Sequence, residues 1–167
     1  MEIGKLYLDA NIIIMLGEGA GEITALLSEL AVQQEPEEPP FLCTSEPTLA
    51  EVLVHPHRHQ QDDLINLYDG WLTQGGFLEL GPVHRDVLYY AALVRSAYRT
   101  IKLPDAIHIS TAIRLECSHF LTADTRLPNP IELVHLRYGL VKGPANLEIL
   151  RPDPETLRAI ISARRVQ

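Results

Sequence analysis

Short apolar runs alternate along this chain with longer segments whose apolar residues recur at helical spacing, and that alternation restricts the fold more than any other feature. Lys5 to Leu8 reads as a strand, followed by a short helix over Ala10 to Leu16 and a break over Gly17 to Gly21. Ile23, Leu26, Leu27 and Leu30 mark a helix over Glu22 to Gln33, and QEPEEPP (34–40) reads as a Pro/Glu loop too short for a domain linker. Phe41 to Thr44 is the second strand. Ser45 is expected to cap the next helix, with Pro47 in its first turn and Pro56 as its stop. A helix over Gln61 to Leu72 follows, then Gly75-Gly76, a strand over Phe77 to Leu80 and a helix over Val83 to Tyr98. Pro104 opens a helix that runs through Leu115, and His119 to Thr122 is the fourth strand. Beyond a loop with Pro128 and Pro130, Ile131 to Leu136 and Leu147 to Leu150 are strand-like, and Pro154 to Arg165 is a closing helix. The order predicts an α/β fold with a mostly parallel sheet, and 167 residues suit one domain over 1–167. No internal repeat and no low-complexity tail interrupts it.

Four acids stand where separate segments each deliver a carboxylate: Asp9 in LYLDANIII, Glu51 in TLAEVL, Asp105 in LPDAIHIS and Asp124 in FLTADTRL. Each lies at the edge of an apolar run. Taken singly, Asp105 reads as a complement to a helix dipole, and Asp9 and Asp124 read as turn formers or caps. Glu51, between Ala50 and Val52, is either on an exposed stripe or buried for a purpose. Together they point to a hard-metal site, because crowded carboxylates repel and are costly to bury without a cation. All-oxygen ligation suits Mg²⁺ or Mn²⁺. In an open parallel sheet, strand ends and the helix starts after them share one edge, so neighbouring first and fourth strands at the sheet centre let all four acids converge.

Composition narrows the classes. The net charge of −8, from 22 acids and 14 bases, argues against a binder that coats nucleic acid with a broad basic surface, though not against an enzyme acting on it. Hydrophobic residues make up 46% and charged residues 22%, ordinary for a globular protein, and no apolar run reaches membrane-spanning length. MEIGKLYLDA has no secretory leader pattern, and Cys43 and Cys117 read as reduced thiols of a cytoplasmic protein. No Cys/His spacing matches a structural zinc site.

Other residues carry two readings. Arg85, Arg95, Arg99 and Lys102 lead into the Asp105 segment, and they either grip a nucleic-acid backbone or form a solvated helix face. His55, His57 and His59 in HPHRH invite a metal reading against that of an exposed loop near Glu51. Trp71, Tyr89 and Tyr90 read as core or interface rather than as base-stacking groups.

LYLDANIII, SEPTLAEVLVHP, LPDAIHISTAI and HFLTADTRL together resemble, in order, the PIN domain (PilT N-terminus) family, and most of all its VapC-type toxins. The resemblance implies a three-layer α/β/α fold with a mostly parallel central sheet flanked by helices. It implies a Mg²⁺- or Mn²⁺-dependent ribonuclease whose acidic site falls on Asp9, Glu51, Asp105 and Asp124, and whose products carry a 5′-phosphate and a 3′-hydroxyl. Asp9 and Asp105 are then direct ligands, and Glu51 and Asp124 bind metal or orient the attacking water. Asn11 and Thr122 match the polar positions beside the first and last acids and would hydrogen-bond the carboxylates. Glu46 is a second claimant for the place assigned to Glu51. A small antitoxin partner, inserting an apolar helix and a blocking charge, and a homodimer are expected by the same analogy. The loop over Pro36 to Pro40 and the long tail after Asp124 depart from the family pattern. A non-catalytic PIN-like scaffold is the competing expectation. A phosphotransfer domain fits poorly, since Asn11 stands two past Asp9 where such proteins want an acid, and Lys142 has no matching context.

Overall fold

Leu6, Tyr7 and Leu8 are each buried, yet successive residues of a strand face opposite sides of a sheet. Both sides must therefore be covered, and a continuous apolar run is what such a strand requires. The computed structural model describes residues 3–33, 40–73 and 77–164. The Pro/Glu loop except Pro40, Gly75-Gly76, Arg165 and the first two residues lie outside them.

In chain order the elements are β1 (Lys5–Leu8), α1 (Ala10–Glu18), α2 (Glu22–Val32), β2 (Leu42–Ser45), α3 (Pro47–Val52), α4 (Val54–His59), α5 (Asp62–Trp71) and β3 (Glu79–Gly81). There follow α6 (Arg85–Ala97), α7 (Leu103–Arg114), β4 (Cys117–Leu121), β5 (Ile131–Arg137), β6 (Leu140–Leu150) and α8 (Pro154–Arg164). The sheet order is β3-β2-β1-β4-β6-β5, parallel throughout except for β5, which runs antiparallel to β6. On one face Leu6, Leu8, Leu42 and Leu121 pack with Ile12, Ile13, Leu27, Leu30, Tyr68, Leu157 and Ile160 from α1, α2, α5 and α8. On the other, Tyr7, Cys43 and Phe120 pack with Ala91, Val94, Ala106, Ile109 and Ala112 from α6 and α7. This is the expected three-layer arrangement. Trp71 packs partly buried against the first cluster and Tyr90 against the second, whereas Tyr89 is exposed. Among the described residues no single helix is long and apolar enough to cross a membrane.

Three local expectations are corrected. Ser45 does not cap α3. It ends β2, and its hydroxyl is taken by the Tyr7 hydroxyl at 2.8 Å and by His108 Nδ1 at 3.1 Å, partners that no local rule reveals. Pro56 does not stop a helix. It lies buried near the start of α4, where a missing N–H is tolerated, and the break falls at Leu53 instead. β6 begins at Leu140 and not at Leu147, because pairing with β5 extends it across Gly143 and Pro144.

Candidate functional site

β1 and β4 are neighbours at the middle of the sheet, and their carboxyl ends open onto one edge. The Asp9 N–H bonds the carbonyl of Leu121 at 3.1 Å, so the two strand ends are tied where the acids begin. Asp9 caps α1 through Oδ1, which accepts the Ala10 N–H at 2.8 Å. Its Oδ2 accepts from the Asn11 amide at 2.5 Å and from the Thr122 hydroxyl at 2.6 Å. Thr122, wholly buried, also accepts the Asp124 N–H at 3.0 Å, and the Asn11 side-chain carbonyl accepts the Ala123 N–H at 2.9 Å. Asn11 and Thr122 thus hold both Asp9 and the loop that carries Asp124.

Asp9, Glu51, Asp105 and Asp124 line one cleft of about 480 Å³ with Ala10, Asn11, Ile14, Ala123 and Arg126. Asp105, in the first turn of α7, makes no side-chain hydrogen bond among the described residues. Its proton affinity is raised, first by burial and then by the carboxylates of Asp9 and Asp124. Asp124 is pushed the other way, to about 2, chiefly by the Arg126 guanidinium. Arg126 grips it with Nη2 at 2.6 Å from Oδ2 and Nε at 2.8 Å from Oδ1. Arg151 donates to the carbonyls of Asp124 at 2.6 Å and Leu127 at 3.2 Å, which staples that loop to the end of β6.

Glu51 reaches the cleft from α3, half exposed, with Oε1 2.6 Å from His108 Nε2. His108 is buried on α7, and its Nδ1 lies 2.7 Å from the Tyr7 hydroxyl. Since an ionised carboxylate only accepts, Nε2 carries the proton facing Glu51, and in the neutral ring Nδ1 accepts from a hydroxyl. Burial holds the Tyr7 hydroxyl well above the ordinary phenol range, so it stays a donor.

The remaining candidates separate. Glu46 is absent from the cleft lining, and its Oε2 accepts the Val83 N–H at 3.3 Å. Lys102 lines an adjoining hollow of about 260 Å³ together with Asp105, Asp124 and Arg126. Arg95 and Arg99 are exposed and line neither space, and Arg85 likewise starts α6 away from both. His55, His57 and His59 lie on α4 rather than on a loop. The His55 and His59 rings lie 4.1 Å apart, tilted by 32°, and His55 approaches Glu18 at 3.6 Å. His108 and Arg126 were missed by sequence reasoning. The only signals were their places in quoted motifs, three residues after Asp105 and two after Asp124.

Among the described residues no three His, Cys, Asp or Glu side chains stand close enough to hold a metal ion as they are oriented. The donor chemistry nonetheless fits a hard divalent cation. The cleft offers carboxylate oxygens, and the raised proton affinity of Asp105 reflects burial first and then repulsion from Asp9 and Asp124, which a cation relieves. His108 engages only Oε1 of Glu51, which leaves Oε2 for a cation, whereas Arg126 holds both oxygens of Asp124, so bidentate ligation by Asp124 requires Arg126 to yield.

A family model described as PIN domain matches residues 6–133. No curated protein matches the chain. Three solved structures share the fold. A toxin-antitoxin complex from Klebsiella pneumoniae aligns with TM-score 0.54 and 23% identity over 74% of this chain and 88% of its own. VapC20 of Mycobacterium tuberculosis, titled a sarcin-ricin loop cleaving toxin, aligns with TM-score 0.53 and 18% identity over 70% and 87%. VapBC2 from Rickettsia felis, bound to a DNA fragment from the pair's promoter, aligns with TM-score 0.53 and 16% identity over 71% and 87%. At these identities the likeness extends to the fold alone.

Proposed function

The chain belongs to the PIN domain family, and from that premise we propose that it is a divalent-metal-dependent endoribonuclease, the toxin of a toxin–antitoxin pair. The observation that carries this reading is one cleft at the ends of β1 and β4 lined by Asp9, Glu51, Asp105 and Asp124. Fold relatives that are toxins or toxin–antitoxin complexes support it.

Bound Mg²⁺ or Mn²⁺ supplies charge to offset that growing on the scissile phosphate and lowers the pKa of the attacking water. Asp9 and Asp105 are the residues assigned to hold it. The donors of Asn11, Thr122 and Ala10 hold Asp9 in place without the ion. Glu51, seated on His108, is placed to bind metal or to accept a proton from the water. Asp124 would help to hold the cation, and its partner Arg126 at the rim carries a guanidinium suited to a phosphate oxygen. Lys102, in the adjoining hollow, is the remaining candidate for the RNA backbone. Arg95 and Arg99, which line neither space, retain only a peripheral part. Products with a 5′-phosphate and a 3′-hydroxyl, one domain over 1–167, a cytoplasmic setting, a small antitoxin partner and a homodimer complete the proposal.

The test is cleavage of a mixed RNA pool by the purified protein with Mg²⁺ or Mn²⁺, beside chelator and Asp9→Asn controls. Cutting that is lost in both controls is expected. A folded protein that neither cuts RNA nor binds Mn²⁺ by calorimetry overturns the reading and leaves the scaffold alternative.

A further inference from the structure

β5 is the outer strand of the sheet, and its free edge is closed over only part of its length. The Tyr98 hydroxyl donates to the Glu132 carbonyl at 3.0 Å and accepts the Glu132 N–H at 2.9 Å. Both main-chain groups of Glu132 therefore point away from β6. That direction repeats every second residue. The irregularity in the ladder puts its extra residue on β6, where Lys142 and Ala145 face His135 and Leu133, so β5 keeps its phase. Val134 and Leu136 thus present their N–H and C=O on the open edge, and among the described residues nothing bonds them there.

Exposed apolar side chains gather on the same ribbon. Val134, Leu136, Tyr138, Leu140 and Val141 are each more than half exposed, five of the twelve exposed large hydrophobics among the described residues. His135 and Arg137 turn inward to the Tyr89 hydroxyl on α6, so Val134 and Leu136 lie on the opposite face, beside Val141. The ribbon lies beyond the start of β4, at the opposite end of the sheet from the acidic cleft. An apolar, unpaired edge of this kind is one that folded proteins normally cover.

We propose that this edge pairs antiparallel with the same edge of a second copy of the chain, about a twofold axis at His135. Directly facing residues must share a face of the sheet, so a twofold axis passes through a residue. An axis at Val134 sets Leu136 against Glu132, whose groups Tyr98 already holds. An axis at Leu136 sets Val134 against Tyr138, which has left-handed backbone at φ 53. Only the axis at His135 sets each open residue against an open residue, Val134 of one copy facing Leu136 of the other. Each such pair exchanges both main-chain hydrogen bonds and adds an apolar contact. Charge permits this pairing. Residues 133–147 contain no Asp or Glu, and their two cations, Arg137 and Lys142, lie on the His135 face, away from Val134 and Leu136. The twofold uses up both open edges and closes the assembly as a dimer rather than a fibre.

The experiment is sedimentation of the full chain over a wide concentration range. A concentration-dependent dimer is expected. Leu136→Pro, which removes an outward N–H without touching the β5–β6 ladder, and Leu136→Lys should each weaken it tenfold or more, with circular dichroism unchanged for at least the second. Residue 135 on the axis faces its own copy with Cα atoms about 4.5 Å apart, within disulfide reach. His135→Cys is therefore expected to form a covalent dimer on mild oxidation, which Cys43 and Cys117, both buried, do not form. A wild-type monomer at every concentration overturns the proposal, as a peptide-binding edge would give. So does a dimer that both Leu136 variants leave intact.

Discussion

His108 Nε2 lies 2.6 Å from Glu51 Oε1, and the ring that makes this bond is buried while the carboxylate is not. The imidazole is fixed from behind by groups at the ends of two strands, Tyr7 of β1 and Ser45 of β2. An acid on a short helix is thereby referenced to the centre of the sheet.

His108→Ala strips that support and leaves the Tyr7 and Ser45 hydroxyls buried with only each other, beside a cavity. A loss of about 2–4 kcal/mol is expected, read as a lower urea midpoint at unchanged slope. Tyr7→Phe, which removes only the hydroxyl, should lose about 1 kcal/mol.

Asp105→Asn should stabilise the metal-free protein at neutral pH. Because the folded-state proton affinity of Asp105 is raised above the ordinary 3.8, its ionised form is disfavoured on folding, and stability falls as pH climbs through that raised value. The advantage of the variant should shrink toward zero as pH drops below 3.8. Thermal midpoints across pH check this, and a gap that does not change with pH refutes it. Mn²⁺ should stabilise the wild type more than the variant, since binding only to the folded state raises stability.

Arg126→Gln tests the opposite shift. Asp124, held at about 2 by Arg126, contributes stability that is present above its ordinary 3.8 and lost as pH falls toward 2. The variant should be slightly less stable than wild type at neutral pH and equal to it near pH 2. Arg126 is 71% exposed, so solvent screens the pair and the difference should stay small. Calorimetry should show tighter Mn²⁺ binding, because Asp124 no longer has a competing cation.

Gly81→Ala should destabilise by about 1–3 kcal/mol. A Cβ there meets Thr111 Cγ2 at 2.4 Å and Leu115 Cδ1 at 3.0 Å, where β3 packs on α7. Thr111→Ser deletes that methyl but keeps the hydroxyl that donates to the Ile107 carbonyl. The double variant should recover part of the loss, a coupling that a double-mutant cycle measures.

The acids were legible because each sits where an apolar run ends, and an α/β chain brings such ends to one edge. That β1 and β4 are neighbours, which sets Asp9 beside Asp124, is only a condition at the level of the sequence, and the sheet order meets it. What escaped depends on partners far away in sequence. Ser45 has the right type and position for a cap, but Tyr7 and His108 take its hydroxyl across the sheet. His108 looks like one more position on a helix stripe until Glu51 is set against it. Leu140 to Asn146 has neither alternation nor a turn-free run, and only β5 makes it a strand. Arg126 stands two residues from Asp124, yet side-chain pairing in an irregular loop has no period to read.

Thr122 Oγ1 has one proton to give and two lone pairs to fill, and all three are spent: on Asp9 Oδ2, on the Asn11 amide and on the Asp124 N–H. Its valence is saturated before any ligand arrives. The inner wall of the cleft therefore behaves as a finished surface, and whatever adjusts when something binds does so at the side chains of Glu51, Asp105 and Asp124. A Thr122→Val side chain of the same shape would leave three strangers where the hydroxyl had made one joint.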